Sequence, residues 1–301
     1  MGTNVPRLDR RKVSSVRTPS TPTPSKSWRV AVLAGAVALL ASGCSTDIST
    51  GFLTSDAGVT NKTGELIAFW NGSWIALLTV GVLVWGLMIW ALIAYRKRKD
   101  DHELPVQLQY HVPLELMYTV IPIVMIGVLF VFSQRTIESV QALDENPDLT
   151  VSIYGKQWSW DFNYVDYDVH YSGERVELTG EEGVADELPT LYLPVDQNVQ
   201  FEVNSRDVNH AFWIPAFVYK KTDMIPGRTN IFQVTPTKEG VYMGKCAELC
   251  GEFHSEMLFR VAVVSMDEFE KQMQALRDAG NVGILGDELN RYGNETEGAQ
   301  H

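Results

Sequence analysis

Two long apolar runs separated by a block of positive charge constrain this chain more than any other feature. Trp74 to Tyr95 carries no charged residue, and about 20 apolar residues in a helix are enough to cross a bilayer. The run stops against Arg96-Lys97-Arg98-Lys99. Lys and Arg in short loops stay cytoplasmic, so the first helix ends in the cytoplasm and the second, Leu114 to Phe132 with Pro122 inside it, must return. The expected spans are 74–95 and 114–135, joined by a cytoplasmic loop over 96–113. All that follows the second span is then outside.

A third apolar stretch, Val30 to Ala41, follows a basic leader containing Arg10, Arg11, Lys12, Arg17, Lys26 and Arg29. It is too short to span and reads as the apolar region of a signal peptide. Leu40-Ala41-Ser42-Gly43-Cys44 resembles a bacterial lipoprotein cleavage box. The expectation is a lipoprotein-type signal peptide over 1–43, Cys44 as the lipidated first residue of the mature chain, and an exported segment over 44–73. Ordinary small-residue cleavage nearby stays open as the alternative. An exported Cys44 and an outside C-terminal part require the same orientation as the basic loop.

Beyond the second span, short alternating runs are separated by turn residues. Candidate strands are Leu149 to Tyr154, Gln157 to Tyr164, Thr190 to Val195, Val199 to Val203, Thr229 to Thr235, Val241 to Gly244 and Met257 to Val264. So many short strands predict a sandwich or Greek-key barrel over 146–265. Met266 to Ala279 has a helical pattern, and the polar remainder of 266–301 predicts a flexible tail. From Ser133 onward there are 29 acidic and 13 basic residues, so the exported part is strongly anionic. Such a field repels nucleic acid and steers a positively charged protein partner. Glu181, Glu182, Asp186 and Glu187 form the densest acidic stretch and read first as a solvated loop.

The chemistry is concentrated in Cys246-Ala-Glu-Leu-Cys250-Gly-Glu-Phe-His254-Ser-Glu-Met257, which gathers two thiols, an imidazole and a thioether. Donors of this softness select copper over magnesium or calcium. His210, which opens the apolar run Ala211-Phe212-Trp213-Ile214, is a fifth candidate ligand. A single blue copper site uses one Cys, two His and a weak Met, so the second Cys suggests two ions. Two thiolates can bridge such a pair, with one His on each ion and Met257 and the Glu248 carbonyl as weak axial donors. An electron shared over both ions needs little reorganisation, which suits relay. Two other readings stay open here. A disulfide is permitted in an oxidising compartment, although it would close only a small loop. Zinc also takes Cys and His, although Met is not a usual zinc ligand and the C-x2-C spacing is missing. No C-x-x-C-H occurs, so the chain attaches no c-type haem of its own.

On these residues the chain resembles subunit II of the haem-copper cytochrome c oxidases, from about Trp74 to Asp278. The C-x3-C-x3-H-x2-M run with His210 is similar to that family's binuclear CuA site. The resemblance implies a membrane-anchored, mainly-β chain: a two-helix transmembrane hairpin followed by a cupredoxin-like Greek-key β-sandwich, with the copper loop between its last two strands. It implies that His210, Cys246, Cys250, His254 and Met257 bind copper through their side chains and Glu248 through its main-chain carbonyl. It also implies that the Glu248 carboxylate holds a magnesium ion shared with subunit I. Gly155-Lys156-Gln157-Trp158-Ser159-Trp160 resembles the family's aromatic stretch, which makes Trp158 the point where electrons arrive. Ser159 stands where the family usually has a third aromatic. Lys221-Thr222-Asp223-Met224-Ile225-Pro226-Gly227-Arg228 resembles the loop that faces subunit I near its haems, and Val112 to Pro122 resembles the second helix, in which Glu115 would mark the entrance of a proton path.

The implied function is that of a cytochrome-c oxidase subunit that accepts electrons from a c-type cytochrome and passes them to haem in subunit I. Oxygen is reduced to water there, coupled to proton pumping. Haem belongs only to subunit I, because the two membrane runs lack the histidine sets that haem ligation requires. Implied partners are subunits I and III, membrane lipid and the donor cytochrome. The leader, cleavage box and strand pattern resemble actinobacterial members, whose donor is a membrane-bound cytochrome of a neighbouring bc1-type complex. The implied location is the cell membrane, multi-pass, with the copper domain extracytoplasmic. Three rivals fit less well. Copper chaperones with C-x3-C carry their His far downstream, quinol-oxidase subunits lack the ligand run, and nitrous oxide reductases need a large additional domain.

Overall fold

The computed structural model describes residue 35 and residues 58–97, 107–217 and 221–291. Apart from residue 35, the expected signal peptide lies outside the described residues, as do Cys44 and residues 98–106 of the expected cytoplasmic loop. Two long helices come first, α1 (Thr63–Ala94) and α2 (Val112–Gln141). Side chains such as Trp85, Leu92, Ile93, Ile123 and Phe130 remain exposed around them, and both helices are long and apolar enough to cross a membrane. A helix apolar on every side with nothing packed over it is matched by lipid rather than by water.

Both helices extend past the expected spans. α1 starts at Thr63, whose hydroxyl accepts from the backbone N–H groups of Gly58 and Thr60 at 3.1 and 3.3 Å and so organises the chain before the apolar run begins. α2 continues through Pro122 to Gln141. Its start is a reciprocal cap: His111 Nδ1 accepts from Leu114 N at 3.3 Å and Glu115 Oε1 accepts from His111 N at 2.8 Å, with Pro113 in the first turn.

The remainder is a sandwich of ten strands: β1 (Leu149–Lys156), β2 (Ser159–Tyr164), β3 (Val169–Ser172), β4 (Thr190–Pro194), β5 (Val199–Ser205), β6 (His210–Trp213), β7 (Thr222–Met224), β8 (Asn230–Val234), β9 (Gly240–Cys246) and β10 (Leu258–Val264). One sheet has the order β3-β2-β1-β5-β8 and the other β4-β10-β9-β6-β7. β1 with β5 and β4 with β10 pair in parallel. This is the expected cupredoxin-like arrangement, with the Cys246–Met257 loop between the last two strands. β5 shows why the sheets close on each other: its burial alternates residue by residue, so Val199, Phe201 and Val203 point inward. The interior is aromatic, with Phe212 stacked on Phe259 at 4.9 Å and Trp160 edge-on to Phe259 at 4.9 Å.

Three strands escape the sequence pattern. β3, β6 and β7 have only four, four and three residues, too few to display a period. Trp158, expected inside a strand, lies in the turn between β1 and β2. The helix α3 (Met266–Asp278), capped by Ser265, covers an open edge of the sandwich with Phe269 and Met273.

The expected flexible tail needs correction over residues 280–291, which fold back as a strap across the outer face of β1, β2 and β3. Asn163 exchanges two hydrogen bonds with the backbone of Leu285, at 2.9 and 3.1 Å, and His170 N donates to Asn281 O at 3.1 Å. The buried Arg206 donates to the carbonyls of Gly286 and Leu285 at 2.9 and 3.2 Å while pairing with Asp161 at 2.5 Å. Asp161 and Asn163 face away from the core yet are buried, because the strap lies over them. Polar composition suggested disorder, but here the polar groups are what the strap binds.

Both membrane helices are tied to the end of β8. Asn61 N donates to Thr235 O at 3.0 Å and Thr237 N to Val59 O at 2.9 Å. On the other side, Gln233 accepts from Asp144 N at 2.6 Å and donates to Asp144 O at 2.9 Å.

Candidate metal centre

The site forms where the ends of β6 and β9 meet. Phe212 pairs with Cys246 across these strands, so His210 at the start of β6 and Cys246 at the end of β9 lie on the same rim. The loop after Cys246 is bound at both sides: Ala247 N donates to Ala211 O and Cys246 N to Met257 O, each at 3.0 Å. Residues His254–Glu256 form a single 3-10 turn that directs the imidazole back toward Cys250.

The six predicted donors converge. Cys246 Sγ lies 3.9 Å from Cys250 Sγ, 3.8 Å from His210 Nδ1 and 3.2 Å from the Glu248 carbonyl oxygen. Cys250 Sγ lies 3.5 Å from His254 Nδ1 and 3.8 Å from Met257 Sδ. Both cysteines are free thiols, so the disulfide reading fails. Two donors that share one ion at bond lengths of about 2.0–2.3 Å lie roughly 3.3–3.8 Å apart. Each cysteine has one imidazole and one weak donor near that spacing, and the two sulfurs face each other. The set fits a pair of soft ions and offers no octahedral oxygen cage. His210, Cys246, Cys250 and Met257 are all buried, whereas His254 is only half-buried.

The electrostatics favour a metal-ready state. The hydrogen bond with Cys250 pushes the Cys246 thiol down to about 3 against the upward pull of burial, and His210 assists. The Cys250 thiol is raised, chiefly by that Cys246 partner and by burial. Cys246 is thus the thiol disposed to ionise first, and Cys250 gives up its proton to solvent when a metal binds. Burial alone would lower His210, but its hydrogen bonds to Asp207 and Cys246 prevail and raise it.

Several contributing residues were not singled out by sequence. Asp207 Oδ1 lies 2.8 Å from His210 Nε2, the ring nitrogen turned away from the sulfurs. Gly155 on β1 leaves room for that imidazole, since a Cβ there would come within 3.0 Å of its ring. An isolated glycine in a strand signals such a close approach, and this was the available clue. Gly251, at φ +126, carries the loop under Trp158, whose ring meets Phe253 edge-on at 4.9 Å.

The remaining predicted residues lie elsewhere. The Glu248 carboxylate points outward and pairs with Lys221 Nζ at 2.7 Å. Arg228 is exposed in a turn closed by its own N–H to Ile225 O at 3.1 Å. Glu115 sits at the start of α2, in the cap described above.

The family description "Cytochrome C oxidase subunit II, periplasmic domain" matches residues 149–264. A probable cytochrome c oxidase subunit 2 of Streptomyces avermitilis is 39% identical over 288 residues, covering 85% of this chain and 88% of that one. Cytochrome c oxidase subunit 2 of Mycobacterium tuberculosis is 34% identical over 293 residues, covering 81% and 80%. Among solved structures, the periplasmic domain of subunit II of cytochrome oxidase (CoxB) of Bradyrhizobium japonicum aligns with a TM-score of 0.40 at 29% identity, over 46% of this chain and 99% of that domain.

Proposed function

Since the chain belongs to the cytochrome c oxidase subunit II family, we propose that it is the electron-accepting subunit of a cytochrome-c oxidase, taking electrons from a c-type cytochrome and passing them to haem in subunit I. The observation that carries this reading is the pair of free thiols 3.9 Å apart, each with its own imidazole and weak donor. His210, Cys246, Cys250, His254, Met257 and the Glu248 carbonyl would hold two copper ions. When bound, the ions supply a centre that takes up and releases one electron at a time with little rearrangement.

The protein's own residues do the rest. The two thiolates, nearly removed from water, keep the donors in place through a change of charge. Asp207 fixes the tautomer and orientation of His210, the usual task of a carboxylate behind a ligating imidazole. Trp158, half-buried beside the loop, presents a ring to a docking cytochrome, and the excess of acidic side chains attracts a basic one. The Glu248 carboxylate and Arg228 lie at the surface, where subunit I would meet them. A single carboxylate suits a magnesium ion whose other ligands come from subunit I and water.

The two apolar helices anchor an extracytoplasmic domain. In this reading they span the cell membrane as a hairpin, with Cys44 acylated outside, subunits I and III alongside, and Glu115 at the entrance of a proton path. Oxygen chemistry and proton pumping belong to subunit I.

The test is metal content and electron paramagnetic resonance of the copper-loaded chain. Two coppers per chain sharing one unpaired electron are expected, and Cys250→Ser is expected to abolish that signal and turnover with reduced cytochrome. A single-copper spectrum, or normal turnover by Cys250→Ser, overturns the assignment.

A further inference from the structure

Gln157 is bonded at three points at once. Its backbone N–H donates to Asp207 Oδ2 at 2.8 Å, and the other oxygen of that carboxylate holds His210 Nε2 at 2.8 Å. Its Nε2 donates to the carbonyl oxygen of Cys250 at 2.8 Å. Its Oε1 accepts from Arg291 Nη1 at 3.3 Å. One residue thus touches the frame of both candidate ligand segments, through its backbone on the His210 side and its side chain on the Cys250 side, and the end of the C-terminal strap.

The next residue is Trp158, and no polar contact holds its ring. Its buried Nε1 has no hydrogen-bond partner among the described residues, and its ring contact is the edge-on one with Phe253. Beneath the indole lies Gly251, which it shares with the Gln157 side chain: a Cβ there would come within 3.1 Å of Gln157 Nε2 and 3.1 Å of Trp158 Cζ2. A residue that donates in one direction and accepts in another is required at 157. Leucine of similar size offers neither, and a glutamate would set an oxygen against the Cys250 carbonyl.

The strap that reaches Gln157 is itself firmly held. Arg291 N donates to Arg206 O at 2.7 Å, while the Arg206 guanidinium binds the strap carbonyls and Asp161. Tyr154 donates to Asp287 at 3.1 Å.

We propose that Gln157 is a positioning residue that fixes Trp158 against the metal loop, and that the C-terminal strap sets its orientation through Arg291. This rests on the reading of Trp158 as the point where electrons arrive. A misplacement of about an ångström costs up to about a hundredfold in rate, and with Trp158 read as the entry point the loss is expected in electron acceptance.

The test uses the assembled oxidase carrying Gln157→Leu, Arg291→Ala, Arg291→Lys or Trp158→Phe, mixed with reduced c-type cytochrome. Copper content, the paramagnetic resonance spectrum and onward transfer to haem after photoreduction are measured in parallel. Gln157→Leu is expected to slow reduction by cytochrome about tenfold and Arg291→Ala about threefold, with Arg291→Lys restoring it. Copper content and onward transfer are expected to stay unchanged. If Gln157→Leu and Arg291→Ala react at the normal rate while Trp158→Phe is slow, the positioning role is overturned and the role of Trp158 stands. If Trp158→Phe reacts normally, the reading of Trp158 fails and takes this proposal with it. If Gln157→Leu loads less copper, Arg291→Ala decides, because Arg291 meets the side-chain oxygen of Gln157 and leaves its bond to the Cys250 carbonyl in place: slowed reduction at full copper sustains the proposal, and unchanged reduction overturns it.

Discussion

Asp207 and His210 form a buried pair in which the carboxylate binds Nε2 at 2.8 Å and leaves Nδ1 facing the Cys246 sulfur. The pair affects stability as well as metal binding. In the metal-free chain, His210 is raised above its ordinary value and Asp207 held below its own: burial opposes both shifts, and their mutual hydrogen bond is the main cause that overcomes it. The His210 contribution is complete below about pH 6.5 and is lost as pH rises through its raised value. The Asp207 contribution is present above about pH 4 and is lost as pH falls through its lowered value. Urea unfolding of the metal-free chain is therefore expected to show this contribution at its fullest between those limits. Asp207→Asn should flatten the profile and weaken copper binding by about tenfold in competition with a chelator. An unchanged profile would remove the ion pair from the argument.

The two thiols should titrate apart. Cys246 is driven down to about 3 by its Cys250 partner, and Cys250 is driven up in turn. Thiolate absorbance of the reduced, metal-free protein is expected to show about one thiolate per chain from pH 5 to 8, with the second proton absent only when metal is added. Two thiols ionising together near pH 8.5 would contradict the coupling.

Gly244 on β9 faces Phe259 on β10 in the strand register, and a Cβ at Gly244 would run into that ring. The ring cannot step aside, since it is stacked on Phe212 at 4.9 Å and flanked by Trp160 at 4.9 Å. Gly244→Ala is expected to cost about 1–3 kcal/mol, as overpacking of a filled core does. Thermal unfolding within about 0.5 kcal/mol of the parent would show that the core yields.

The apolar helices, the cluster of soft donors and most strands were legible because each depends on composition, on close spacing in the chain or on a repeating pattern. Charge-free length gives the helices, and donor softness points to copper as the proposed metal. Asp207, Gln157 and Gly155 were not legible as site residues, because their roles depend on which strands become neighbours: β1 lies beside β5 and delivers residues 155–158 to a loop almost a hundred positions later. The strap escaped for the same reason. Its sequence is polar, and only the buried outward faces of Asp161, Asn163 and Arg206 show what it binds.

Glu115 has one observed role and one proposed role, and substitution can divide them. Its Oε1 accepts from the backbone N–H of His111 and closes the first turn of α2. Gln at that position keeps an accepting oxygen, as a capping box allows, but removes the ionisable group. Ala removes both, at a cost of about 0.5–2 kcal/mol to the helix start. If Glu115 also passes protons to subunit I, Glu115→Gln should assemble normally yet turn over on the order of tenfold more slowly or worse, since a positioned proton-transfer group contributes at least that much. The measurement is oxygen consumption by the assembled oxidase beside subunit content and haem spectrum. Full turnover by Glu115→Gln with reduced assembly of Glu115→Ala would leave Glu115 as a helix cap alone.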